Sequence, residues 1–170
     1  MQYDELIRSR YSCRSFSEKP VEEEKIQEIM EAGILAPTAL NHQPFEIFYM
    51  KSPEAKDAIQ SVTKCHFGAD CFLVLAAKPQ EAFCREFDSR NYADVDAAIA
   101  ATHMLLKVRD LGLGTTWVGY FDAPKLQSLC PAMEGKDLIA IFPIGYPAED
   151  AAPSPRHSVR KACKEVVTQL

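Results

Sequence analysis

Apolar residues recur along this chain with two periods, and the switches between them predict an alternating order of helices and strands. After Pro20-Val21-Glu22, the residues Ile26, Ile29, Met30, Gly33 and Ile34 fall at helical spacing on one face, and Pro37 stops the helix. A shorter helix is expected over residues 2–9. Ser52-Pro53-Glu54 is a capped start for another, with Ile59 and Val62 turned inward. Residues 45–51 read as a buried strand, and Cys71 to Ala77 is an unbroken apolar run, the pattern of a strand covered on both faces. A short helix is expected over 80–88, then a long one from about Tyr92 to Leu111, ended by Gly112. In the long helix Val95, Ala98, Ile99, Thr102, Leu105, Leu106 and Val108 occupy so much of the circumference that more than one side needs cover. In a chain of this size a subunit interface is the economical cover. Strand-like segments return at Thr115–Tyr120 and Leu138–Ile144, with a helix begun at Asp122 between them. The order implies α/β or α+β, a sheet held between helices. Three prolines between Pro147 and Pro155 predict extended chain, and residues 161–170 are expected to end in a short strand through Val166-Val167. Such an arm is better explained by a partner than by its own subunit.

Composition narrows the class. The 170 residues are most simply one domain, residues 1–170, able to bury roughly 70% of the unfolded surface. No apolar run approaches the ~20 residues of a membrane span. The polar start Met1-Gln2-Tyr3-Asp4-Glu5 is the opposite of a signal peptide, so a cytoplasmic protein without membrane contact is expected. Six cysteines with no Cys-x-x-Cys pair point to no metal site and to free, mostly buried thiols. Cys13 is the exception to watch, because it sits inside the arginine-bearing loop of Arg10 and Arg14, a candidate binding loop.

A net charge of −5 argues against nucleic acid. Its distribution says more. Arg156, Arg160, Lys161 and Lys164 lie in residues 156–164 without an acid, leaving −9 on the remainder. Arg8, Arg10 and Arg14 make a second basic spot. The two either are solvated surface charge or suit a small phosphorylated ligand.

The chain has no Gly-x-Ser-x-Gly elbow, no Gly-x-x-x-x-Gly-Lys phosphate loop and no His-Glu-x-x-His. Gly112 and Gly114 read as a helix cap and a turn. No proton-transfer or nucleophile constellation stands out, so no catalytic side chain is assigned; this suits an enzyme whose reactive atoms belong to a cofactor. The loop Ala36-Pro37-Thr38-Ala39-Leu40-Asn41-His42-Gln43-Pro44-Phe45 sets two primary amides two residues apart. Asn41 and Gln43 either cap backbone groups or read the mixed donor–acceptor edge of a planar heterocycle.

Arg10-Tyr11-Ser12-Cys13-Arg14-Ser15-Phe16, followed a helix later by Pro37 to Phe45, resembles the nitroreductase family of FMN-dependent oxidoreductases. The resemblance continues through Asp96-Ala97-Ala98-Ile99, Gly112 to Gly119, Ile144-Gly145-Tyr146-Pro147 and the tail His157-x-x-Arg160-Lys161, so it spans almost the whole chain in order. It implies an α+β fold with a central mixed sheet flanked by helices in three layers. It also implies an intertwined homodimer in which the arm 147–170 reaches the partner and adds a strand to its sheet. The implied activity takes hydride from NADH or NADPH and passes two electrons to a small acceptor such as a nitroaromatic or quinone, donor and acceptor using one site in turn, with the chemistry at FMN N5. Alternatives are a flavin-binding or storage protein, reductive dehalogenation, flavin destruction or enone reduction.

The same resemblance implies the site residues. Arg10, Tyr11, Ser12 and Arg14 would bind phosphate or the flavin's pyrimidine edge, and Arg160 and Lys161 would complete the phosphate site. Pro37, Thr38, Ala39, Leu40, Asn41 and Gln43 would reach across the dimer to the flavin held mainly by the other subunit. Trp117, Val118 and Gly119 would run along the ring, although Trp117 also suits plain core packing. Thr38 and Phe45 replace the family's usual Ser and Trp. Lys64 and His66 are the nearby candidates for a mid-chain flavin contact.

Overall fold

The computed structural model describes residues 1–170. Its centre is an antiparallel sheet of β1 (Phe45–Met50), β2 (Cys71–Ala77) and β5 (Asp137–Ile144), with β2 in the middle. Phe45 pairs with Ala77 and Met50 with Phe72 on one side; Cys71 pairs with Ile144 on the other, with an irregularity between Leu75 and Ala76. Every residue of β2 is buried. Its alternation divides the core: Cys71, Leu73, Leu75 and Ala77 face one cluster, Phe72 and Val74 the other. The first cluster lies under α2 (Glu23–Ile34) and α4 (Ala93–Asp110); the second lies under α3 (Pro53–Val62) and α5 (Ala123–Leu129). The expected α+β arrangement of helix, sheet and helix therefore holds. The sheet itself is antiparallel; the parallel contact is an isolated bridge between Ser12 and Thr115.

Capping follows the sequence. The Ser52 hydroxyl accepts the Ala55 N–H at 3.2 Å, and the Asp122 carboxylate accepts that of Lys125 at 3.0 Å. Gly112, at φ 74°, closes α4: its N–H reaches the Arg109 carbonyl and the Leu113 N–H reaches that of Val108. α1 (Tyr3–Ser9) packs against α4.

Five expectations change. Residues 80–88 are no helix: after a single turn at Pro79–Glu81 the chain makes the hairpin β3 (Cys84–Arg85) and β4 (Arg90–Asn91). Arg85 donates to both carboxylate oxygens of Asp88, one of which also accepts the Arg90 N–H, so local polar bonds fold the segment back. Thr115–Tyr120 is not a continuous strand, because Thr115 bridges to Ser12 while Val118 bridges to Ile141. In α4 the buried face is Ala93, Ala97, Ala100, Ala101, Met104 and Val108; of the larger positions expected inward only Val108 is buried. Small residues let that helix lie close on its neighbours. Cys163–Val166 form one helical turn, α6, instead of a strand, with the Ala162 N–H bonded to the Glu165 carboxylate at 2.7 Å. Among the thiols only Cys13 and Cys71 are buried, so a mostly buried set was the wrong expectation. Burial and the neighbouring Asp70 push Cys71 up to about 12, which makes it inert. No helix is long and apolar enough to cross a membrane.

Candidate functional site

Residues 10–17 run extended between two segments of the body. The Cys13 N–H donates to the Thr115 carbonyl at 2.9 Å, the Ser17 N–H to that of Tyr146 at 2.9 Å, and the Ala148 N–H to that of Ser15 at 3.1 Å. Extended backbone alternates its side chains. Cys13 is fully buried, while Arg10, Ser12 and Arg14 line a cavity of about 410 Å3. The opposite wall is Ser154, Arg156, His157 and Arg160. No acidic and no apolar residue lines it, and none of the chain's ion pairs uses any of its four arginines. Burial, then the cation of Arg160, holds Arg10 below the usual guanidinium range. Four guanidiniums converging without a counter-ion form an anion receptor, with planar donors suited to phosphate or carboxylate oxygens.

Arg14 is shared with a second, smaller cleft of about 130 Å3 whose walls include Cys65, Phe67, Trp117, Val118, Gly119 and Tyr120. Trp117 is only partly covered; its ring meets Phe142 edge-on at 5.3 Å. A polar cradle and an aromatic-walled cleft thus share one arginine, a layout that suits an anionic tail carrying a flat ring.

The amide loop is built differently. Leu40, Asn41 and Gln43 all take left-handed backbone, at φ 51°, 58° and 51°. Such angles are strained for residues other than glycine and persist where surrounding bonds fix them. Here the Asn41 N–H donates to the Thr38 carbonyl, the Gln43 N–H to the Thr38 hydroxyl at 3.0 Å, and the Gln43 amide to the Asn41 carbonyl at 3.2 Å. The Ala39 N–H donates at 3.0 Å to Asp96, a carboxylate only 2% exposed in the first turn of α4, whose other oxygen has no partner. Leu40 projects into solvent, 75% exposed.

The family model described as Nitroreductase family matches residues 7–69 and 66–146. The chain belongs to the nitroreductase family. A protein of Methanothermobacter thermautotrophicus assigned as an NADH dehydrogenase/NAD(P)H nitroreductase is 27% identical over 153 residues, covering 86% of this chain and 78% of that one. The crystal structure of a nitroreductase family protein from Clostridium difficile 630 superposes with a TM-score of 0.91 at 27% identity, covering 99% of this chain and 98% of that one. A Desulfovibrio desulfuricans protein, assigned as a nitroreductase and solved in complex with FMN, matches with a TM-score of 0.78 at 26% identity, covering 98% and 95%.

In this nitroreductase-family chain, Arg10, Ser12, Arg14 and Arg160 converge on one cavity, and Arg14 joins Trp117, Val118 and Gly119 at the next. Lys161 lines neither and is exposed; the Tyr11 hydroxyl donates to the Ala151 carbonyl at 3.5 Å. None of Pro37, Thr38, Ala39, Leu40, Asn41 and Gln43 lines either cavity within one chain. The mid-chain candidates Lys64 and His66 do not line the slot. His66 turns its ring to accept the Gly68 N–H at 3.3 Å, and it is Cys65 and Phe67 that face the cleft. Sequence reasoning missed Ser154 and Tyr120; it placed Arg156 in the tail's basic spot and Asp96 in the resemblance without giving either a role at the site. An acid in the first turn of an alanine-rich helix was the available signal for Asp96.

Proposed function

We propose that the chain is an FMN-dependent NAD(P)H oxidoreductase that works as a homodimer and reduces a small planar acceptor such as a nitroaromatic or a quinone. The observation that carries this reading is the cradle of four arginines without counter-ions, one of which, Arg14, also lines the slot beside Trp117. That donor set fits the group: a phosphate monoester needs concentrated positive charge and planar donors, and a ring system needs an apolar-lined slot. FMN, when bound, supplies two-electron hydride chemistry at its N5.

In this reading Arg10, Arg14 and Arg160 hold the phosphate and Ser12 adds a hydroxyl contact. Lys161 contributes positive charge from outside the cavity wall. Trp117, Val118 and Gly119 border the ring, and Tyr11 ties the loop to residue 151. The loop of Pro37, Thr38, Ala39, Leu40, Asn41 and Gln43 serves the site of the partner subunit. Support for a dimer comes from what one chain leaves uncovered: Leu35, Leu40, Val159, Val166 and Val167 are all exposed, and Val95, Ala98, Ile99 and Leu106 on the outer side of α4 are only partly buried. The arm, with Val166 and Val167 near its tip, would cross to the partner and pair with a sheet edge there.

The test is an absorbance titration. Protein mixed with FMN is expected to give a shifted, structured flavin spectrum that bleaches rapidly and anaerobically with NADH or NADPH and recovers on adding a quinone. Protein that stays colourless after FMN addition and gel filtration refutes the cofactor assignment. Tight FMN binding with negligible bleaching by both nicotinamides refutes the oxidoreductase and leaves a flavin-binding protein.

A further inference from the structure

The last nineteen residues make no hydrogen bond and no ion pair to the rest of their own chain. From residue 152 onward every such bond stays inside the segment: Arg156 N–H to Ser154 Oγ, His157 N–H to the Ser154 carbonyl, Arg160 to the Val159 carbonyl, and Ala162 N–H to Glu165. The last anchors before it are Asp150, which accepts from Ser15, and Ala151, which accepts from Tyr11. Yet this segment forms one wall of the cradle and the body forms the other. Both walls are cationic, with Arg10 and Arg14 facing Arg156 and Arg160, so without an anion the two surfaces repel.

We propose that a phosphate-monoester dianion is the link that docks residues 152–170 onto the body, so that cofactor binding and placement of the arm are one event. The dianion accepts donors from both walls at once and turns a repulsive contact into two sets of charge-assisted hydrogen bonds. A ligand that binds only the docked arrangement shifts the population toward it. The inference rests on the cradle being a phosphate site, as in the proposed function. It goes further: the phosphate organises the part of the chain that reaches for the partner, and the ring system is dispensable for that step. The shared chemistry is the phosphate group, and its sources are FMN or free phosphate.

The arm carries its own reporters, since trypsin cuts after Arg156, Arg160, Lys161 and Lys164. Full-length protein in chloride buffer is digested briefly, and arm cleavage is compared with cleavage after Arg90, which lies on the exposed hairpin outside both cavities. Cleavage of a reversibly opened segment tracks the open population. FMN, and inorganic phosphate at higher concentration, are expected to slow arm cleavage roughly tenfold relative to Arg90, the scale of one or more charge-assisted contacts, while riboflavin does not. Arg160→Glu places a carboxylate in the cradle: cleavage after Lys161 and Lys164 should be slow without any anion and indifferent to phosphate. Equal cleavage with and without FMN, in protein that binds FMN by fluorescence, overturns the inference and leaves the proposed function standing. Protection by phosphate in protein that does not bind FMN supports the inference and removes the flavin assignment. An arm resistant under all conditions overturns it too, because the partner and not the anion then holds the arm.

Discussion

Gly114→Ala is the substitution by which the cradle's architecture is most directly tested. A Cβ at that position would lie 2.8 Å from both Cβ and Sγ of Cys13 and 3.2 Å from Cγ of Pro147. Comfortable carbon contacts begin near 3.5 Å, so the closest approaches are short by roughly 0.7 Å. Cys13 cannot swing away. It is fully buried, its N–H is bonded to Thr115 and its thiol donates to the Ser15 carbonyl at 3.2 Å. Gly114 is equally fixed, bonded in both directions to Gly145 at 2.8 and 3.3 Å. The overlap must move the 12–14 backbone, at about 1–3 kcal/mol of overpacking. At roughly 2–4 °C per kcal/mol for a chain of this size, the melting temperature should fall by roughly 2–12 °C. The same shift carries Ser12 and Arg14 away from Arg160, so FMN affinity, read by flavin fluorescence quenching, should fall about tenfold through one misplaced charge-assisted bond. Cys13→Gly in the Gly114→Ala background removes both clashing atoms and should restore affinity, though the added glycine keeps the melting temperature low. A single variant with native melting and native affinity refutes the reasoning, as does a double variant that binds FMN no better than the single.

The other expectations can be checked independently. Initial rates at several fixed acceptor concentrations should give parallel double-reciprocal lines if donor and acceptor use one site in turn; intersecting lines indicate separate sites. Asp96→Ala should speed hydrogen exchange at Ala39 and Gln43 with little change in melting, because the lost bond is offset by removing a buried carboxylate oxygen that has no partner; unchanged exchange refutes its anchoring role. Deleting residues 152–170 removes only chain without bonds to the body, so the fold should survive while FMN is lost and the dimer weakens; a yellow dimer of normal activity would show the arm to be dispensable. Glu22 is held at about 2 by its own backbone N–H and by the Tyr146 hydroxyl. A depressed folded value means that its contribution to stability is full above its ordinary value of 4.5 and is lost as pH falls from there toward about 2. Tyr146→Phe should raise that pKa, seen by carboxyl NMR, and an unmoved titration sinks the assignment.

How far the sequence could be read depended on whether the signal was local or came from packing. Cys71–Ala77 was legible to the residue because a strand covered on both faces writes its tertiary environment into its own composition. The inner face of α4 was not: hydrophobicity favoured Val95, Ile99 and Leu105, whereas the close approach of the helix to the sheet selected alanines. Gly112 and Gly114 look alike in sequence and differ in role. The first is a left-handed helix stop; the second keeps space for the Cys13 side chain, and only three-dimensional proximity reveals that. The hairpin at 84–91 pairs only Cys84 with Asn91 and Arg85 with Arg90, closed by the Arg85–Asp88 ion pair, and no apolar pattern in the sequence announces so short a pairing.

The cradle was half legible for the same reason. Arg10, Ser12, Arg14 and Arg160 were marked as site residues by the resemblance, and Arg156 stood in the tail's basic spot, but only the folded arm shows that Arg156 faces the loop of Arg10 and Arg14. The amide loop carries the opposite lesson. Its strained backbone and its buried, half-satisfied Asp96 are costs written into the single chain, yet nothing in that chain uses the loop. A surface prepared at such cost and left facing outward, with Leu40 bare beside it, is what a subunit needs if its amides serve the neighbour's site. In the proposed homodimer each chain would lend the amide loop to its partner's ring and receive the partner's loop in return, so that the dimer would complete the binding site.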